Sequence, residues 1–461
     1  MKKCLTYAVL MIFHGILLAQ DWPMINQNPQ RTGYVAEEEK LFPPLQIDRL
    51  IDLGGIPSSM IVAEDVLYYL MDVDSTTVHA YSLDADHELW QFTIPGGAGT
   101  AGFIPALFED LIYVGGQQGD ALYALDRFSG EIRWSREIGF LYNHSPMPDG
   151  AGKLYVFADS LFCLDANVGS TIWSTTGNFS TPTLFANDIY YGNSEQFRSC
   201  NASNGEINWA RNQNSNCTQV IANPSGIYTI NDTTVCSYYF DAFKNWCYSF
   251  PTGIHSIFFT GGNAMLADTV LLFTALNTLD NVGMLIAINT NNGVKLWEYQ
   301  SNSRNFFNPA GAHGVVYITG GDPSTIKGFD ILDGTLLFED TSRNFLRQPL
   351  IAGSRLFVPT YPGVMIFKSE LTSVQPIRQT SIFTYYPNPF GQHINLKLDP
   401  ALDGPCEIKL VSASGVVRKK IIMNPGQEYQ WNTEGMASGF YLLVVTATDV
   451  QQVHKIIKIA Y

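Results

Sequence analysis

Few side chains of this 461-residue sequence have the types and spacing that a metal site or an activated nucleophile requires. There is no H-E-x-x-H pair for zinc, no G-x-S-x-G turn for a nucleophilic serine and no G-x-x-x-x-G-K loop for a phosphate. The run Asp72-Val-Asp74-Ser-Thr76 has the alternating oxygens of a calcium loop, but it lacks the central glycine and the closing glutamate. We therefore expect no metal, no cofactor and no catalytic residue.

A second group of side chains combines aromatic rings with basic or imidazole groups. Arg304-Asn305-Phe306-Phe307 is echoed further along the chain by Arg343-Asn344-Phe345. Aromatic rings beside a polar group recognise glycans and proteins, so this group supplies candidate ligand contacts. The alternative interpretation is that the phenylalanines fill a core, because most aromatic side chains are buried. The group consists of Phe140, Tyr142, His144, Phe179, His255, Arg304, Phe306, Arg343, Phe345 and Arg347.

The segments that carry these residues follow a repeat. A polar residue, a small or turn-forming residue four positions later and an aromatic residue four positions after that recur seven times. Successive aromatic residues are 36 to 51 positions apart, which is typical of a four-stranded propeller blade. The residues before each polar position alternate as in a strand, the turn residue permits a hairpin, and the aromatic ring can fill the wedge between blades. The triplets are Ser82/Asp86/Trp90, Asp126/Gly130/Trp134, Asp165/Gly169/Trp173, Asn201/Gly205/Trp209, Tyr238/Ala242/Trp246, Asn289/Gly293/Trp297 and Asp330/Gly334/Phe338.

An eighth unit, from Pro349 to Ser369, has two strand-like runs but neither the hairpin nor the aromatic residue. A single strand-like segment, Leu45 to Leu53, precedes the first unit. If this N-terminal strand completes the last unit, the ring closes and leaves no exposed sheet edge. We therefore predict an all-β protein with an eight-bladed β-propeller, and seven blades is the alternative.

The repeat resembles that of a known superfamily. The run from Leu122 to Trp134, LYALDRFSGEIRW, is similar to the repeat of pyrroloquinoline-quinone-type (PQQ-like) propellers, and the lead-in DWPM at 21–24 with QRTGY at 30–34 is similar to theirs. The resemblance implies this fold for residues 21–368, but it implies no function because propellers host many unrelated sites. Catalytic quinone-type propellers carry two adjacent cysteines. No Cys-Cys pair exists here, so we do not expect a quinoprotein dehydrogenase.

The N-terminus and the charge indicate location and exclude two classes of partner. Lys2 and Lys3, followed by the apolar run from Leu5 to Leu18, predict a signal peptide over residues 1–20. No later stretch is long and apolar enough for a spanning helix, so we expect no membrane span. The formal net charge of −15 repels phosphate backbones, which makes nucleic acid a poor partner.

The cysteines predict little chemistry. Export permits disulfides, but the spacing matches no zinc pattern. Cys163, Cys200 and Cys236 fall on strand positions of the repeat, where small buried side chains are expected. Core packing is therefore their expected role.

The sequence predicts that the C-terminal part forms a separate module. Residues 369–382 are polar and predict a linker, and residues 383–461 alternate as short strands between glycine turns, which predicts a small immunoglobulin-like β-sandwich. This tail resembles the type A sorting domain of the type IX secretion system. The resemblance implies recognition by that machinery and a secreted or outer-surface location in a Gram-negative bacterium. An ordinary adhesion module is the alternative. The match is carried by Pro387, Asn388, Pro389, Gly415, Gly439, Tyr441, Lys455 and Lys458.

Taken together, these patterns favour a non-catalytic binding scaffold for an unknown protein or polysaccharide. The alternative from another class is a carbohydrate-active enzyme with acids in the propeller channel. Two close carboxylates in that channel would favour the enzyme, since glycoside hydrolysis uses a carboxyl pair. An apolar, aromatic face would favour binding.

The tail yields the first testable prediction. A protein ending at Thr380 should melt close to the propeller transition of the intact chain, because few contacts cross a polar linker. In a host with a type IX system it should stay in the periplasm, whereas residues 370–461 fused to an unrelated periplasmic protein should carry that protein to the surface. Fractionation and immunoblotting measure both. Efficient release of the truncated protein would contradict the sorting role.

Overall fold

The structure is a computed structural model that describes residues 21–72, 74–96, 103–115, 121–139, 145–158, 160–176, 182–192, 195–212, 217–256, 264–304, 306–370, 383–386, 392–400, 404–412, 417–436, 439–446 and 451–458. These residues form strands and turns only, and the chain divides into two compact units, 1–370 and 371–461. Nowhere in these ranges is there a helix able to cross a membrane. The predicted signal peptide and most of the predicted linker lie outside them.

The first unit begins with two strands that join sheets formed much later in the chain. They are β1 (Tyr34–Val35) and β2 (Leu45–Asp52). Sheet 1 then contains β3 (Ser59–Ala63), β4 (Val66–Asp72), β5 (Thr76–Ser82) and β6 (His87–Thr93). Sheet 2 contains β7 (Ala106–Phe108), β8 (Leu111–Gly115), β9 (Ala121–Asp126) and β10 (Ile132–Glu137). Sheet 3 contains β11 (Met147–Pro148), β12 (Lys153–Phe157), β13 (Ser160–Asp165) and β14 (Thr171–Thr176).

The next sheets repeat this up-and-down order. Sheet 4 contains β15 (Thr183–Phe185), β16 (Asp188–Gly192), β17 (Gln196–Asn201) and β18 (Ile207–Asn212). Sheet 5 contains β19 (Cys217–Asn223), β20 (Gly226–Asn231), β21 (Thr234–Tyr238) and β22 (Lys244–Ser249). Sheet 6 contains β23 (Ile254–Ser256), β24 (Ala264–Ala267), β25 (Val270–Asn277), β26 (Val282–Asn289) and β27 (Lys295–Gln300), with β23 and β24 both paired to β25.

The last two sheets of the unit recruit the N-terminal strands. Sheet 7 contains β28 (Ala310–Ala312), β29 (Val315–Gly321), β30 (Ser324–Asp330) and β31 (Leu336–Asp340), with β1 parallel to β28. Sheet 8 contains β32 (Leu350–Ala352), β33 (Arg355–Thr360) and β34 (Gly363–Ser369). Its fourth strand is β2, which pairs antiparallel with β34 from Leu45 opposite Ser369 to Asp52 opposite Gly363. The prediction that the N-terminal strand completes the last unit is confirmed.

The outermost strand is the most exposed strand of each sheet. In sheet 2 every residue of β8 and β9 is buried, whereas β10 alternates between exposed and half-buried residues. The continuous apolar runs therefore belong to strands covered on both faces, and the alternating run belongs to the outer strand.

One large side chain on the outer strand contacts the next sheet. Six tryptophans each donate the indole N–H to a backbone carbonyl of the following sheet, at Nε1–O distances of 2.8 to 3.1 Å. A buried N–H must have an acceptor, so each ring fixes the next sheet as well as filling space. The donor–acceptor pairs are Trp90–Arg127, Trp134–Ala166, Trp173–Ala202, Trp209–Phe240, Trp246–Thr290 and Trp297–Ile331.

Each tryptophan ring lies on the turn that joins the last two strands of the next sheet. Gly169 has a φ of +70°, and a Cβ on it would lie 2.6 Å from Cε3 of Trp134. The Asp165 carboxylate shapes the same turn by accepting the backbone N–H groups of Asn167 and Val168 at 2.9 and 3.2 Å. The wedge-filling role predicted for the aromatic residue is confirmed. Gly130, Gly205, Gly293 and Gly334 lie against the preceding tryptophan in the same way.

Sheet 8 differs because its outer strand comes from the N-terminus. There Arg49 takes the tryptophan's place: its guanidinium donates to the carbonyl of Leu83 and forms a 3.0 Å ion pair with Asp86 in sheet 1. Leu83 follows the polar residue of its repeat, as Ala166 does, so the acceptor position is the same. Contact between neighbouring sheets thus continues from sheet 8 to sheet 1.

The cysteines divide into two groups. Cys163, Cys200, Cys217 and Cys406 are buried and form no disulfide in the described part of the chain, in keeping with a packing role. Cys236 is also buried in an apolar cluster, and in addition it forms a disulfide with Cys247, which the sequence analysis did not predict. These two residues lie directly opposite each other on β21 and β22, so the bond links the two arms of one hairpin.

The second unit has its own core. One sheet contains β35 (Phe383–Tyr386), β36 (His393–Leu398) and β39 (Glu428–Asn432), and the other contains β37 (Cys406–Ser412), β38 (Val417–Met423), β40 (Gly439–Thr446) and β41 (Gln451–Lys458). Buried residues of both sheets, including Ile394, Leu410 and Trp431, belong to one apolar cluster.

The contact between Trp134 and Gly169 predicts an unequal effect of alanine at two glycines. Gly150 has a similar φ of +75°, but a Cβ there would meet nothing within 4 Å. Gly150→Ala should therefore cost only the backbone strain, about 1 kcal/mol of unfolding free energy. Gly169→Ala should lose about 1–3 kcal/mol more, because the methyl group overlaps the indole. Urea denaturation measures both, and equal losses would contradict the docking role of the turn.

Candidate functional site

The N-terminal segment, residues 21–40, runs along the first strands of the sheets. Its backbone pairs with six of those strands at N–O distances of 2.7 to 3.3 Å. Sheet 8 is reached through the Glu38 carboxylate, which accepts the backbone N–H and the hydroxyl of Ser354 at 3.0 and 3.1 Å. The six backbone contacts are Trp22–Val62, Pro23–Leu107, Pro29–Leu184, Gln30–Ala222, Thr32–Leu266 and Gly33–Gly311.

Arg31 lies at the centre of this segment. Its side chain is fully buried, and its guanidinium donates to the carbonyls of Ile25, Ser145 and Pro182 at 3.2 to 3.4 Å. Burial without a carboxylate partner in the described chain lowers the pKa of Arg31 to about 9. The carbonyls of Ser145 and Pro182 precede β11 and β15, so one cation ties the segment to sheets 3 and 4.

The buried carboxyl groups near the segment have structural partners. The Glu38 side chain also accepts the backbone N–H groups of Lys40 and Leu41. Burial raises the pKa of Asp21 to about 6, and one of its oxygens accepts the Glu64 N–H at 3.3 Å. Glu64 is itself paired with the Arg127 guanidinium.

A small cavity of about 60 Å³ opens where the inter-sheet loops meet the segment. Arg347 and Gln348 line one side, and Ser59 and Ile104 line the other. The Gln348 amide donates to Asn26 Oδ1 at 3.0 Å, whereas the buried Ser59 hydroxyl has no partner among the described residues. The cavity thus offers a cation, an amide and a free hydroxyl beside apolar walls.

Among the predicted ligand contacts, four basic or imidazole side chains are exposed. They are His255, Arg304, Arg343 and Arg347, of which Arg347 lines the cavity. Arg343 also donates to the carbonyl of Tyr361 at 3.3 Å. Phe140, Tyr142, His144 and Phe179 lie outside the described residues.

For Phe306 and Phe345 the expectation of ligand contact needs correction. Their exposed fractions are 1% and 0%, and their backbones bridge to Gly320 and Thr360. The Phe345 ring packs 5.8 Å from that of Phe367. The repeated Arg-Asn-Phe sequence therefore places each phenylalanine in the core while its arginine stays exposed, because the apolar ring gains most from burial.

The described residues of the predicted sorting motif lie on the last two strands of the second unit. Gly439 begins β40 opposite Lys458 at the end of β41, and Lys455 lies opposite Leu442. Tyr441 and Lys458 are buried. Pro387, Asn388, Pro389 and Gly415 lie outside the described residues.

Sequence reasoning missed two features of the first unit. The sequence QRTGY contains Arg31 but gave no indication that its guanidinium would be buried among carbonyls. The Cys236–Cys247 pair had a detectable signal, since the eleven-residue separation spans the hairpin of the repeat and places both residues on facing strands.

Comparison with known proteins agrees with both resemblances. Residues 384–459 match the family model of the secretion system C-terminal sorting domain, and residues 74–156 and 249–376 match that of the outer membrane protein assembly factor BamB. No curated protein matches the chain.

Solved structures share the fold at low sequence identity. BamB from Moraxella catarrhalis aligns with a TM-score of 0.56 and 15% identity over 71% of this chain and 98% of its own. A europium-containing methanol dehydrogenase aligns with a TM-score of 0.60 and 12% identity over 76% and 90%. A quinohemoprotein alcohol dehydrogenase from Comamonas testosteroni gives 0.59 and 13% over 76% and 80%. The chain therefore combines a PQQ-type propeller repeat region with a type IX C-terminal sorting domain, which makes it a secreted or cell-surface protein.

Proposed function

We propose that this protein is a non-catalytic binding scaffold. An N-terminal signal peptide takes it to the periplasm, and the type IX machinery recognises residues 383–461. The eight sheets act as the eight blades of one propeller, the tail is an immunoglobulin-like sandwich, and a protein or polysaccharide binds the face formed by the inter-blade loops.

The observation that carries the proposal is the position of the N-terminal segment. Its backbone pairs with the first strands of six sheets, and the Arg31 guanidinium donates to carbonyls that precede sheets 3 and 4. A catalytic site on the axis needs room for a substrate beside reactive groups. A segment bonded along the first strands leaves less room beside them, which supports recognition on the loop face instead.

The loop face has side chains suited to recognition. Arg347 lies at the cavity, and Arg304 and Arg343 are exposed on equivalent loops before sheets 7 and 8. Exposed guanidinium groups offer several fixed donors to carboxylates or hydroxyls. The unpartnered Ser59 hydroxyl adds a short-range donor and acceptor inside the cavity.

One observation favours the alternative, a carbohydrate-active enzyme. Asp21 has a pKa raised to about 6 by burial, and Glu64 is its neighbour. Two neighbouring carboxyl groups resemble the carboxyl pair of a glycosidase. Glu64, however, is paired with Arg127, and Asp65 is paired with Arg355. These ion pairs support a structural role for the acids.

Binding without turnover is the expected behaviour. The mature full-length protein, screened on a glycan array and by pull-down from cell-surface extract, should retain a ligand that it does not cleave. Arg347→Gln should weaken this binding about tenfold or more, since a hydrogen bond to a charged group contributes about 1.5–3 kcal/mol. Arg133→Gln, on the outer strand β10, is the matched control and should bind like the wild type.

Turnover would overturn this proposal. Release of reducing ends from a bound glycan, abolished by Asp21→Asn, would establish the enzyme. Equal binding by the Arg347→Gln variant and the wild type would place the ligand away from the loop face.

A further inference from the structure

A groove separates sheets 4 and 5 on the surface of the first unit. It has a volume of about 520 Å³, within the range of small-ligand sites. Its floor is formed by Phe197 and Tyr238, whose ring centroids are 5.2 Å apart. Its polar side chains are Arg211, Asn212, Asn231, Thr234, Lys244 and Ser249.

Asn231 is the most unusual residue of the groove. Only 3% of it is exposed, and its amide N–H donates to Thr234 Oγ1 at 3.1 Å. Its Oδ1 atom is buried and has no donor among the described residues. A buried acceptor without a donor is unfavourable, and a ligand hydroxyl entering the groove would supply one.

Two cations line the same groove as this acceptor. The Arg211 guanidinium lies 5.5 Å from the ring centroid of Phe243, the residue before Lys244. Both cations are exposed, and no carboxylate of the described chain pairs with either. Residues 213–216, which follow Arg211 and its neighbour Asn212, are QNSN and carry no charge. In a chain of net charge −15, the groove is therefore locally positive.

A similar groove between sheets 6 and 7 provides an internal comparison. It also has a lysine, Lys327, but the ammonium group of Lys327 pairs with Glu339 at 2.6 Å. That cation is neutralised within the protein, whereas Arg211 and Lys244 are free to meet an anion from solution.

The groove between sheets 4 and 5 is also held in shape. The Cys236–Cys247 disulfide forms part of its wall and links β21 to β22. The hairpin between these strands ends in Tyr239, Phe240 and Phe243, which are 49%, 37% and 64% exposed. A preorganised wall lowers the entropy cost of binding.

We propose that this groove binds an acidic oligosaccharide. The sugar carboxylate pairs with Arg211 and Lys244, a ring hydroxyl donates to Asn231 Oδ1, and the amide and hydroxyl side chains meet the remaining hydroxyls. The inference rests on the proposed function as a binding scaffold and adds a ligand class and a second site, distinct from the loop face.

Calorimetry with oligogalacturonate and its fully methyl-esterified form tests the proposal on the mature full-length protein. The acid should bind, and the ester, which keeps the ring but not the charge, should bind at least about tenfold more weakly. The double variant Arg211→Gln/Lys244→Gln should lose affinity for the acid by a similar factor. Lys327→Gln, in the comparison groove, should bind like the wild type. Because Arg211 and Lys244 are exposed, the double variant should melt close to the wild type, whereas Lys327→Gln also removes the ion pair with Glu339 and serves as a control for binding only.

Three results would overturn the groove site: no binding of oligogalacturonate, equal binding of acid and ester, or full affinity in the double variant. These failures differ from failure of the scaffold proposal. If oligogalacturonate does not bind but the protein captures another glycan or a protein, and Arg347→Gln abolishes that capture, the scaffold proposal stands and only the groove site fails. If the protein cleaves oligogalacturonate and its affinity depends on Arg211, the groove site stands and the proposal of a non-catalytic function fails.

Discussion

The structure of the first unit depends on one contact, repeated from sheet to sheet: an indole N–H donates to a carbonyl of the next sheet, and in five of the six cases its ring lies on a glycine turn. The contact combines burial of a large apolar surface with a directional hydrogen bond, so it fixes both separation and register. It also explains the composition of the repeat. The aspartate or asparagine shapes the turn, the glycine leaves space for the ring, and the aromatic residue sits at the position that reaches both.

The tryptophan contact is missing where the repeat is irregular, and other side chains connect the neighbouring sheets there. Sheet 7 has Phe338 at the tryptophan position, and its ring packs edge-on against Phe367 of sheet 8 at 5.6 Å. Sheet 8 has no fourth strand of its own, so β2 supplies one, and Arg49 donates to the same acceptor position that tryptophan uses elsewhere. The N-terminal segment adds a second set of contacts along the first strands, which the repeats do not provide for themselves.

Periodicity in the sequence was enough to predict the four-stranded units, the wedge-filling aromatics and the pairing of the N-terminal strand, because each follows from local pattern and from the need to cover sheet edges. The path of residues 21–40 could not be predicted, since a segment without periodicity has no face that indicates its neighbours. The burial of Phe306 and Phe345 could not be predicted for a related reason: an Arg-Asn-Phe sequence does not show which side chain points inward. The groove between sheets 4 and 5 joins residues from β17, β18, β20, β21 and β22, and only their three-dimensional arrangement brings Arg211 next to the hairpin of the disulfide.

The proposed binding function depends on the N-terminal segment remaining bonded along the first strands of the first unit, which leaves recognition to the surfaces of that unit. Hydrogen–deuterium exchange of the amides of Leu107, Leu184, Ala222 and Leu266 tests this most directly, because each donates to a carbonyl of that segment. If the segment is seated, these amides exchange as slowly as those in the middle strands of the sheets. Exchange as fast as that of exposed hairpin turns, with the middle strands still protected, would show that the segment is detached and the centre open, which would contradict the account.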